Sequence, residues 1–150
     1  SGGNSLAFLD SQAPDVAPER DHFESGLIEW AISFNVPILG ICRGMQVINY
    51  CLGGELAVVR NHTSVRHVVA FGGEEAGEIS REVNSYHNYG ILSSGLGEGL
   101  RPLAQANDGT IEAFQHNKKR VAGMMWHPER EEPFARTDQE RFKKIVNSGQ

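Results

Sequence analysis

The segment VPILGIC, residues 36–42, constrains the possible folds of this chain more than any other part of its sequence. It is a short, continuous apolar run, which is typical of a strand buried on both faces of a parallel sheet. A helical pattern follows at once, because Met45, Ile48 and Leu52 fall on one stripe. A buried strand that passes through a tight turn into a helix is typical of α/β proteins, and we predict that class.

A second helix is predicted before this strand, over residues 14–35. Pro18 suits its first turn, and Pro37 prevents the helix from continuing. Five apolar side chains recur within it at the spacing of an amphipathic helix. They are Phe23, Leu27, Trp30, Ala31 and Phe34.

The second half of the chain is dominated by strand patterns with polar turns between them. The predicted elements are strands at 66–71, 77–87 and 102–108, a hairpin of 111–116 and 121–127 around a turn at 117–119, and a closing helix at 138–146. The basic cluster Lys118–Arg120 is interpreted as a solvated hairpin tip. The glycine-rich segments FGGEEAG and GLGEG are interpreted as loops, since neither has the G-x-G-x-x-G spacing of a phosphate-binding turn.

Length and charge exclude several classes of protein. The 150 residues suffice for one domain with its own core. No apolar run approaches the roughly 20 residues that span a bilayer, and SGGNSLAFLD lacks the features of a signal peptide. The net charge of −5 argues against a nucleic-acid or anionic-membrane partner.

The two cysteines, Cys42 and Cys51, lie nine positions apart on the helix predicted after the first strand. At about 1.5 Å of rise per residue they are on the order of 13 Å apart, which is too far for a disulfide. Reduced thiols in a chain without an export signal indicate the cytoplasm. Cys51 is interpreted as a small buried hydrophobic residue.

Cys42 stands between two glycines, in Gly40-Ile41-Cys42-Arg43-Gly44, where the predicted strand meets the helix. This is the pattern of a nucleophile elbow, which lifts a side chain out of a sheet at the carboxyl end of a strand. The helix N-terminus is expected to lower the pKa of the Cys42 thiol. The backbone N–H of Arg43 would then point to where an oxyanion forms.

A thiol nucleophile needs a base and a group that orients the base. Among six histidines, His127 differs because it ends the apolar strand VAGMMW and is followed by Pro128 and Glu129. In an extended segment the Glu129 carboxylate can hold one ring nitrogen of His127 while the other faces Cys42. The remaining histidines are expected to be ordinary surface or partly buried residues.

Together, ILGICRGMQVIN, NSYHNYG and MMWHPE resemble the class I glutamine amidotransferases, and most of all their γ-glutamyl hydrolase branch, the peptidase C26 group. The resemblance implies a three-layer α/β/α fold, flavodoxin-like, with a mainly parallel central sheet. It also implies Cys42 as the nucleophile, His127 as the general base and acid, and Glu129 as the orienting carboxylate.

The resemblance implies further contacts with substrate. Gly3 N–H would join Arg43 N–H in the oxyanion hole, and Gln46 would contact the γ-glutamyl group. The amino-acid head of the substrate would be held by Ser85, Tyr86 and His87. The chain departs from the family pattern at Tyr89, where a glutamine is usual, and at Arg130 and the two glutamates that follow it.

The activity implied is cysteine-dependent hydrolysis of the γ-glutamyl amide bond of glutamine or a γ-glutamyl conjugate, with release of glutamate and an amine. GICRGMQVIN and HPERE also resemble members associated with surface-polysaccharide pathways, which suggests a γ-glutamyl-CDP-amidate as substrate. No metal or cofactor is expected, since neither H-E-x-x-H nor C-x-x-C is present. Two alternatives stay open, namely a glutaminase subunit that supplies ammonia to a separate synthetase, and a non-catalytic regulatory relative. A homo-oligomer is also compatible with the sequence.

The resemblance makes 150 residues look short for this fold, because a strand of the sheet should precede Gly2-Gly3. We therefore expect a single domain over residues 1–150 that lacks its N-terminal strands. For such a chain alone we expect an exposed sheet edge and weak or absent activity.

Overall fold

A computed structural model describes residues 5–7, 9, 12–72 and 80–147 of the chain. Within these ranges the helices are α1 (Pro18–Ser33), α2 (Arg43–Cys51) and α3 (Arg136–Asn147). The strands are β1 (Ile38–Ile41), β2 (Ala57–Val58), β3 (Thr63–Phe71), β4 (Ser80–Tyr86), β5 (Tyr89–Gly90), β6 (Leu100–Ala106), β7 (Ile111–His116) and β8 (Val121–Met124). The described residues contain no helix of the length and apolarity that crossing a membrane requires.

Six of the described strands form one mixed sheet in the order β1-β8-β7-β6-β3-β4, while β2 and β5 pair separately. Only β1 and β8 are parallel in this sheet, and its other four pairings are antiparallel. The α/β class is confirmed, but the prediction of a mainly parallel sheet is wrong for the described residues. The physical reason is that short turns join β6, β7 and β8, and such turns allow only antiparallel neighbours.

Helices cover both faces of the sheet. One apolar cluster joins α1 and α2 to the sheet and includes Met45 and Phe114. A second cluster joins α3 to the sheet and includes Phe142 and Ala113. Because Ala113 and Phe114 are neighbours in β7, their side chains point to opposite faces, and the molecule has three layers.

The apolar spacing in α1 predicts its buried face wrongly. The buried residues of α1 are Asp21, Ile28 and Ala31. Four of the five apolar residues on which the prediction depends are half or more exposed, and together they form the apolar stripe of α1 and its C-terminal end: Phe23, Leu27, Trp30 and Phe34. The face toward α2 is instead set by carboxylates, since Asp21 forms a buried ion pair with Arg43.

The remaining elements follow the sequence patterns closely. The hairpin of β7 and β8 and the closing helix α3 form where they were predicted, and Lys118 and Lys119 are exposed. Both cysteines are free, as their predicted separation requires. The strand β1 is half-buried along most of its length, because within the described sheet it has a neighbour on one side only.

Candidate active site

Cys42 lies at the turn from β1 into α2, in a backbone conformation that few side chains adopt. Its φ is 50° and its ψ is −107°, and its N–H donates to the carbonyl of Met124 at 2.8 Å. A non-glycine residue at positive φ is uncommon, and such strain often accompanies function. The predicted elbow is therefore formed, with a largely buried thiol at its apex.

The two glycines of the elbow have different importance for the fold. A Cβ added at Gly40 would lie 2.5 Å from the carbonyl carbon of Gly44, because α2 passes directly over the end of β1. A Cβ added at Gly44 would meet no atom within 4 Å. Close packing therefore requires glycine at position 40, whereas position 44 has room for a side chain.

The pKa of the Cys42 thiol is raised, which is opposite to the direction expected from its place at a helix N-terminus. Burial is the main cause, and the negative charges of Glu112 and Glu129 add to it. A hydrogen bond from the Arg43 N–H and the positive charge of Arg130 lower the pKa but do not outweigh burial. At neutral pH the Cys42 side chain is accordingly a thiol, and any reaction that used its sulfur as a nucleophile would have to remove this proton.

The side chain of Arg43 anchors the elbow to its surroundings. Its buried guanidinium forms ion pairs with Asp21 and Glu24 of α1. Asp21 also accepts a hydrogen bond from the N–H of Ala7 at 2.7 Å, so that one carboxylate ties the N-terminal segment to the elbow. Gly3, the other predicted oxyanion donor, lies outside the described residues, and the oxyanion role of the Arg43 N–H stays a prediction.

His127 and Glu129 form the pair that the H-P-E spacing predicts. The Nδ1 atom of His127 lies 2.7 Å from the carboxylate of Glu129, and His127 is buried while Glu129 is half-exposed. Burial raises the pKa of Glu129, but hydrogen bonds, above all the one with His127, outweigh it and the pKa is lowered. An ionised Glu129 can thus hold the proton of His127 on Nδ1 and leave Nε2 free for chemistry.

The sheet register brings Cys42 and His127 to the same edge. Ile41 pairs with Met124 in the parallel ladder of β1 and β8. Both strands therefore end at one level, with Cys42 one residue beyond and His127 three residues beyond. This is the carboxyl edge of parallel strands, where α/β proteins place their binding sites.

Asn84 of β4 fixes His127, and sequence reasoning missed it. The side-chain amide of Asn84 donates to the carbonyl of His127 at 2.8 Å, and its oxygen accepts from the His127 N–H at 2.8 Å. The same amide nitrogen donates to Glu131 at 2.7 Å. Its place in NSYHNYG, beside the predicted head-binding residues, was the one available signal.

A cleft of about 120 Å³ opens beside Cys42. Its walls include Leu6, Gln46, Tyr86 and Tyr89. The Nε2 atom of Gln46 donates to the carbonyl of Tyr89 at 2.8 Å, which joins α2 to the opposite wall. Gln46 therefore lines the cleft beside Cys42, and its contact with a substrate stays a prediction.

The three residues predicted to hold the substrate head lie in different surroundings. The Ser85 side chain is fully buried and its hydroxyl donates to the carbonyl of His62 at 2.6 Å. Tyr86 is partly exposed, with its ring 5.8 Å from that of His127 and the Arg130 guanidinium 4.4 Å from its centroid. His87 borders the cleft, but its Nε2 atom faces the interior, 3.4 Å from Glu112.

Beneath this wall of the cleft lies a group that the sequence did not indicate, the histidine–Glu112 cluster, formed by His62, His67, His87 and Glu112. Glu112 is fully buried on β7, and nothing in the linear spacing of these residues matches a familiar ligand motif. Its His62, His87 and Glu112 could together hold a metal ion.

We compared the sequence with models of protein families and with curated proteins. The sequence model of the family Peptidase C26 matches residues 9–129. A γ-glutamyl-CDP-amidate hydrolase from Campylobacter jejuni is 42% identical over 132 residues, which cover 87% of this chain and 60% of that protein. A Lactococcus lactis protein, named as glutamine amidotransferase-like, is 35% identical, covering 85% of this chain and 63% of that protein. The chain thus spans about 60% of the length of these curated relatives.

Solved structures show the same fold. A crystal structure of a glutamine amidotransferase from Thermotoga maritima superimposes with a TM-score of 0.70 at 19% sequence identity. The match covers 98% of this chain and 62% of that one. The mixed sheet and its helices therefore match the architecture of class I glutamine amidotransferase domains.

Proposed function

Because the chain belongs to the peptidase C26 family, we propose that it hydrolyses γ-glutamyl amides with Cys42 as nucleophile. The family membership confirms the resemblance predicted from the three motifs. The observation that carries the proposal is the sheet edge where β1 delivers Cys42 on a strained elbow and β8 delivers the His127–Glu129 pair. Nucleophile, base and orienting carboxylate are the groups that acyl transfer through a covalent intermediate needs.

In the first half of the proposed reaction, the sulfur of Cys42 attacks the γ-carbonyl carbon while its proton passes to Nε2 of His127. The oxyanion accepts a hydrogen bond from the N–H of Arg43, and Gly3 is the expected second donor. The amide C–N bond then breaks, and His127 gives its proton to the departing amine. A γ-glutamyl thioester remains on Cys42.

In the second half, His127 removes a proton from water, and the hydroxide attacks the thioester carbonyl. The C–S bond breaks, the Cys42 sulfur recovers the proton, and glutamate leaves. The raised pKa of Cys42 fits this sequence, because the thiol is deprotonated by His127 only as the attack proceeds. Glu129 stabilises the imidazolium in both halves.

For the amine side of the substrate we propose an anionic conjugate of the γ-glutamyl-CDP-amidate type. The Campylobacter jejuni relative bears the name of a hydrolase of that compound. At the cleft, the Arg130 guanidinium packs on the ring of Tyr86 and acts on the charge state of Cys42. A cation on the Tyr86 ring, which lines the cleft, suits a leaving group that carries phosphates.

The test is glutamate release from a panel of γ-glutamyl amides, measured by mass spectrometry with the purified protein. Cys42→Ala should lower turnover by at least about 10⁴-fold, because the covalent route is lost. Cys51→Ala, which removes the other free thiol, serves as the matched control and should keep full activity. Turnover retained by Cys42→Ala in a folded sample would contradict the proposal.

The same panel separates the alternatives. Hydrolysis of free glutamine that becomes fast only when a synthetase is added would favour a glutaminase subunit, a role compatible with the name of the Lactococcus lactis relative. A glutamine-mimicking electrophile should label Cys42 of an active hydrolase. The Cys42→Ala variant should be labelled only slowly by the same reagent. No labelling of the folded protein at pH 7 would favour a non-catalytic relative.

A further inference from the structure

The histidine–Glu112 cluster gathers side chains from four parts of the chain. His62 precedes β3, His67 lies on β3, His87 follows β4, and Glu112 lies on β7. The Nδ1 atom of His62 and the Nε2 atom of His87 lie 3.2 Å and 3.4 Å from the same carboxylate oxygen of Glu112. These atoms are buried, and within the described residues none makes a contact with hydrogen-bond geometry.

Each of the two rings, His62 and His87, has an inner nitrogen near Glu112 and an outer nitrogen that faces away from it. The hydrogen bond of the outer nitrogen determines whether the inner nitrogen of the neutral ring is a donor or an acceptor. The Nε2 atom of His62 lies 2.8 Å from the Asp108 carboxylate, and the Nδ1 atom of His87 lies 3.0 Å from the carbonyl of Tyr89. Each acceptor holds a proton on the outer nitrogen. In the neutral rings, therefore, the inner nitrogens of His62 and His87 carry lone pairs and lie beside a Glu112 oxygen that also carries only lone pairs.

Such an arrangement is unfavourable in a buried site unless positive charge lies among the three acceptors. We propose that His62 Nδ1, His87 Nε2 and one carboxylate oxygen of Glu112 bind a divalent transition-metal ion of the Zn²⁺ type. The three ligand atoms lie within 4.8 Å of one another. Two imidazoles and a carboxylate are a ligand set that zinc accepts.

The two distances from the ring nitrogens to the carboxylate oxygen agree with this assignment. Tetrahedral zinc with bonds of about 2.0–2.1 Å places its ligand atoms about 3.3 Å apart. The two nitrogens stand at 3.2 Å and 3.4 Å from the carboxylate oxygen. Asp108 and the Tyr89 carbonyl supply the outer hydrogen bonds that orient metal-binding histidines. The Nε2 atom of His67 lies 3.5 Å from the other Glu112 oxygen.

The ion would be structural. It would fasten the start of β3 and the segment after β4 to the central strand β7, directly behind the cleft. The Tyr89 carbonyl accepts from both His87 and Gln46, so the site connects to the cleft wall through one oxygen. The proposed hydrolysis needs no metal, and the two proposals can fail independently.

The first experiment measures metal binding by the purified protein carrying Cys42→Ala and Cys51→Ala, after dialysis against a chelator. Zn²⁺ should bind with one equivalent per chain by elemental analysis. Co²⁺ should give the visible absorption of a nitrogen and oxygen site, with no thiolate charge-transfer band. X-ray absorption of the zinc-loaded protein should count two imidazoles.

The second experiment assigns the site. Glu112→Gln and His62→Gln should abolish Co²⁺ binding, and Asp108→Asn, at a half-exposed position, should weaken it by about 10–100-fold. His22→Gln, which removes an exposed histidine of α1, is the matched control and should bind like the parent.

If the core variants do not fold, Asp108→Asn and the X-ray absorption spectrum of the parent still decide. Absence of bound metal in the parent, equal affinity in Asp108→Asn, or a first shell without imidazole would overturn the proposal. A His62 ring that keeps both protons in protein saturated with zinc, seen by nitrogen NMR, would also overturn it and indicate a salt bridge with Glu112 instead.

Discussion

Histidine meets glutamate in two regions of this molecule, and the regions differ in both distance along the chain and access to water. His127 and Glu129 are two residues apart, and half of the Glu129 side chain is exposed while His127 is buried. Glu112 is completely buried and meets His62, His67 and His87, which come from other elements.

The difference shows how one pair of residue types serves two purposes. In the first region, called here the accessible pair, the half-exposed Glu129 carboxylate reaches water, and a pair of this kind can take part in the proton transfers that catalysis requires. A buried carboxylate surrounded by imidazoles cannot be left without positive charge, so it commits the fold to a fixed arrangement. We therefore expect changes at Glu129 to alter rate and changes at Glu112 to alter stability.

The largest expected effect is on turnover, at the accessible pair. His127→Asn should lower kcat by about 10²–10⁴-fold, because no other group can move the proton between sulfur, amine and water. Glu129→Gln should lower it by a smaller factor, since the imidazole stays in place. Both should keep the melting temperature, because Asn84 holds the His127 backbone rather than its ring. His22→Asn is the control, and equal rates in all three variants would contradict this division.

The next effect is on stability, at the buried cluster. In metal-free protein the Glu112 carboxylate raises the pKa of His62 and so favours a proton there as the positive charge of the cluster. Glu112→Gln should then lower the free energy of unfolding by about 3–5 kcal/mol, because it leaves that buried charge unpaired. Glu129→Gln should change it by less than about 1 kcal/mol, since the carboxylate is half-exposed. Urea denaturation of the two variants measures the difference directly. Similar losses in both would erase the distinction between the regions.

A smaller effect tests whether both glycines of the elbow around Cys42 are needed for packing. Gly40→Ala should lower the free energy of unfolding by about 1–3 kcal/mol, because the added methyl meets the backbone of α2. Gly44→Ala should leave stability unchanged or raise it by up to about 1 kcal/mol, since alanine favours a helix. Thermal unfolding of this matched pair gives the answer, and equal destabilisation would show that the second glycine also has a packing role.

The smallest expected effect is on the pKa of the Cys42 thiol, on which carboxylates of both regions act. The pKa of Cys42 is raised, so below it the thiolate fraction and the alkylation rate should fall about tenfold per pH unit. Glu112→Gln and Glu129→Gln should each move this pH profile to lower pH, whereas Arg130→Ala should move it to higher pH. Iodoacetamide kinetics in a Cys51→Ala background provide the measurement. A shift of opposite sign in either glutamine variant would mean that its carboxylate does not act on Cys42.

The sequence was informative wherever contacts are short along the chain. The strand, elbow and helix around Cys42, the hairpin of β7 and β8, and the His127–Glu129 pair all depend on neighbouring residues. Their geometry follows from local backbone rules, and the predicted elements and the His127–Glu129 contact are confirmed. The predicted lowering of the Cys42 pKa and the burial of β1 on both faces are wrong, because both depend on surroundings far along the chain.

What could not be predicted depends on register and on partners far along the chain. Three features form only after the strands have paired. They are the antiparallel order of the sheet, the hydrogen bonds between Asn84 and His127, and the cluster around Glu112. The face of α1 was also mispredicted, because apolar spacing does not reveal that Arg43 would attract Asp21 and Glu24 inward.

The exposed apolar stripe of α1 has a practical consequence for spectroscopy. The chain has two tryptophans, and Trp30 on the stripe is 51% exposed while Trp126 is 1% exposed. Iodide should therefore quench the red-shifted emission of Trp30 and leave the blue-shifted emission of Trp126 intact. The two tryptophans therefore report on different parts of the protein. The emission of Trp126 depends on the integrity of the core, and that of Trp30 should change when another molecule covers the apolar stripe of α1.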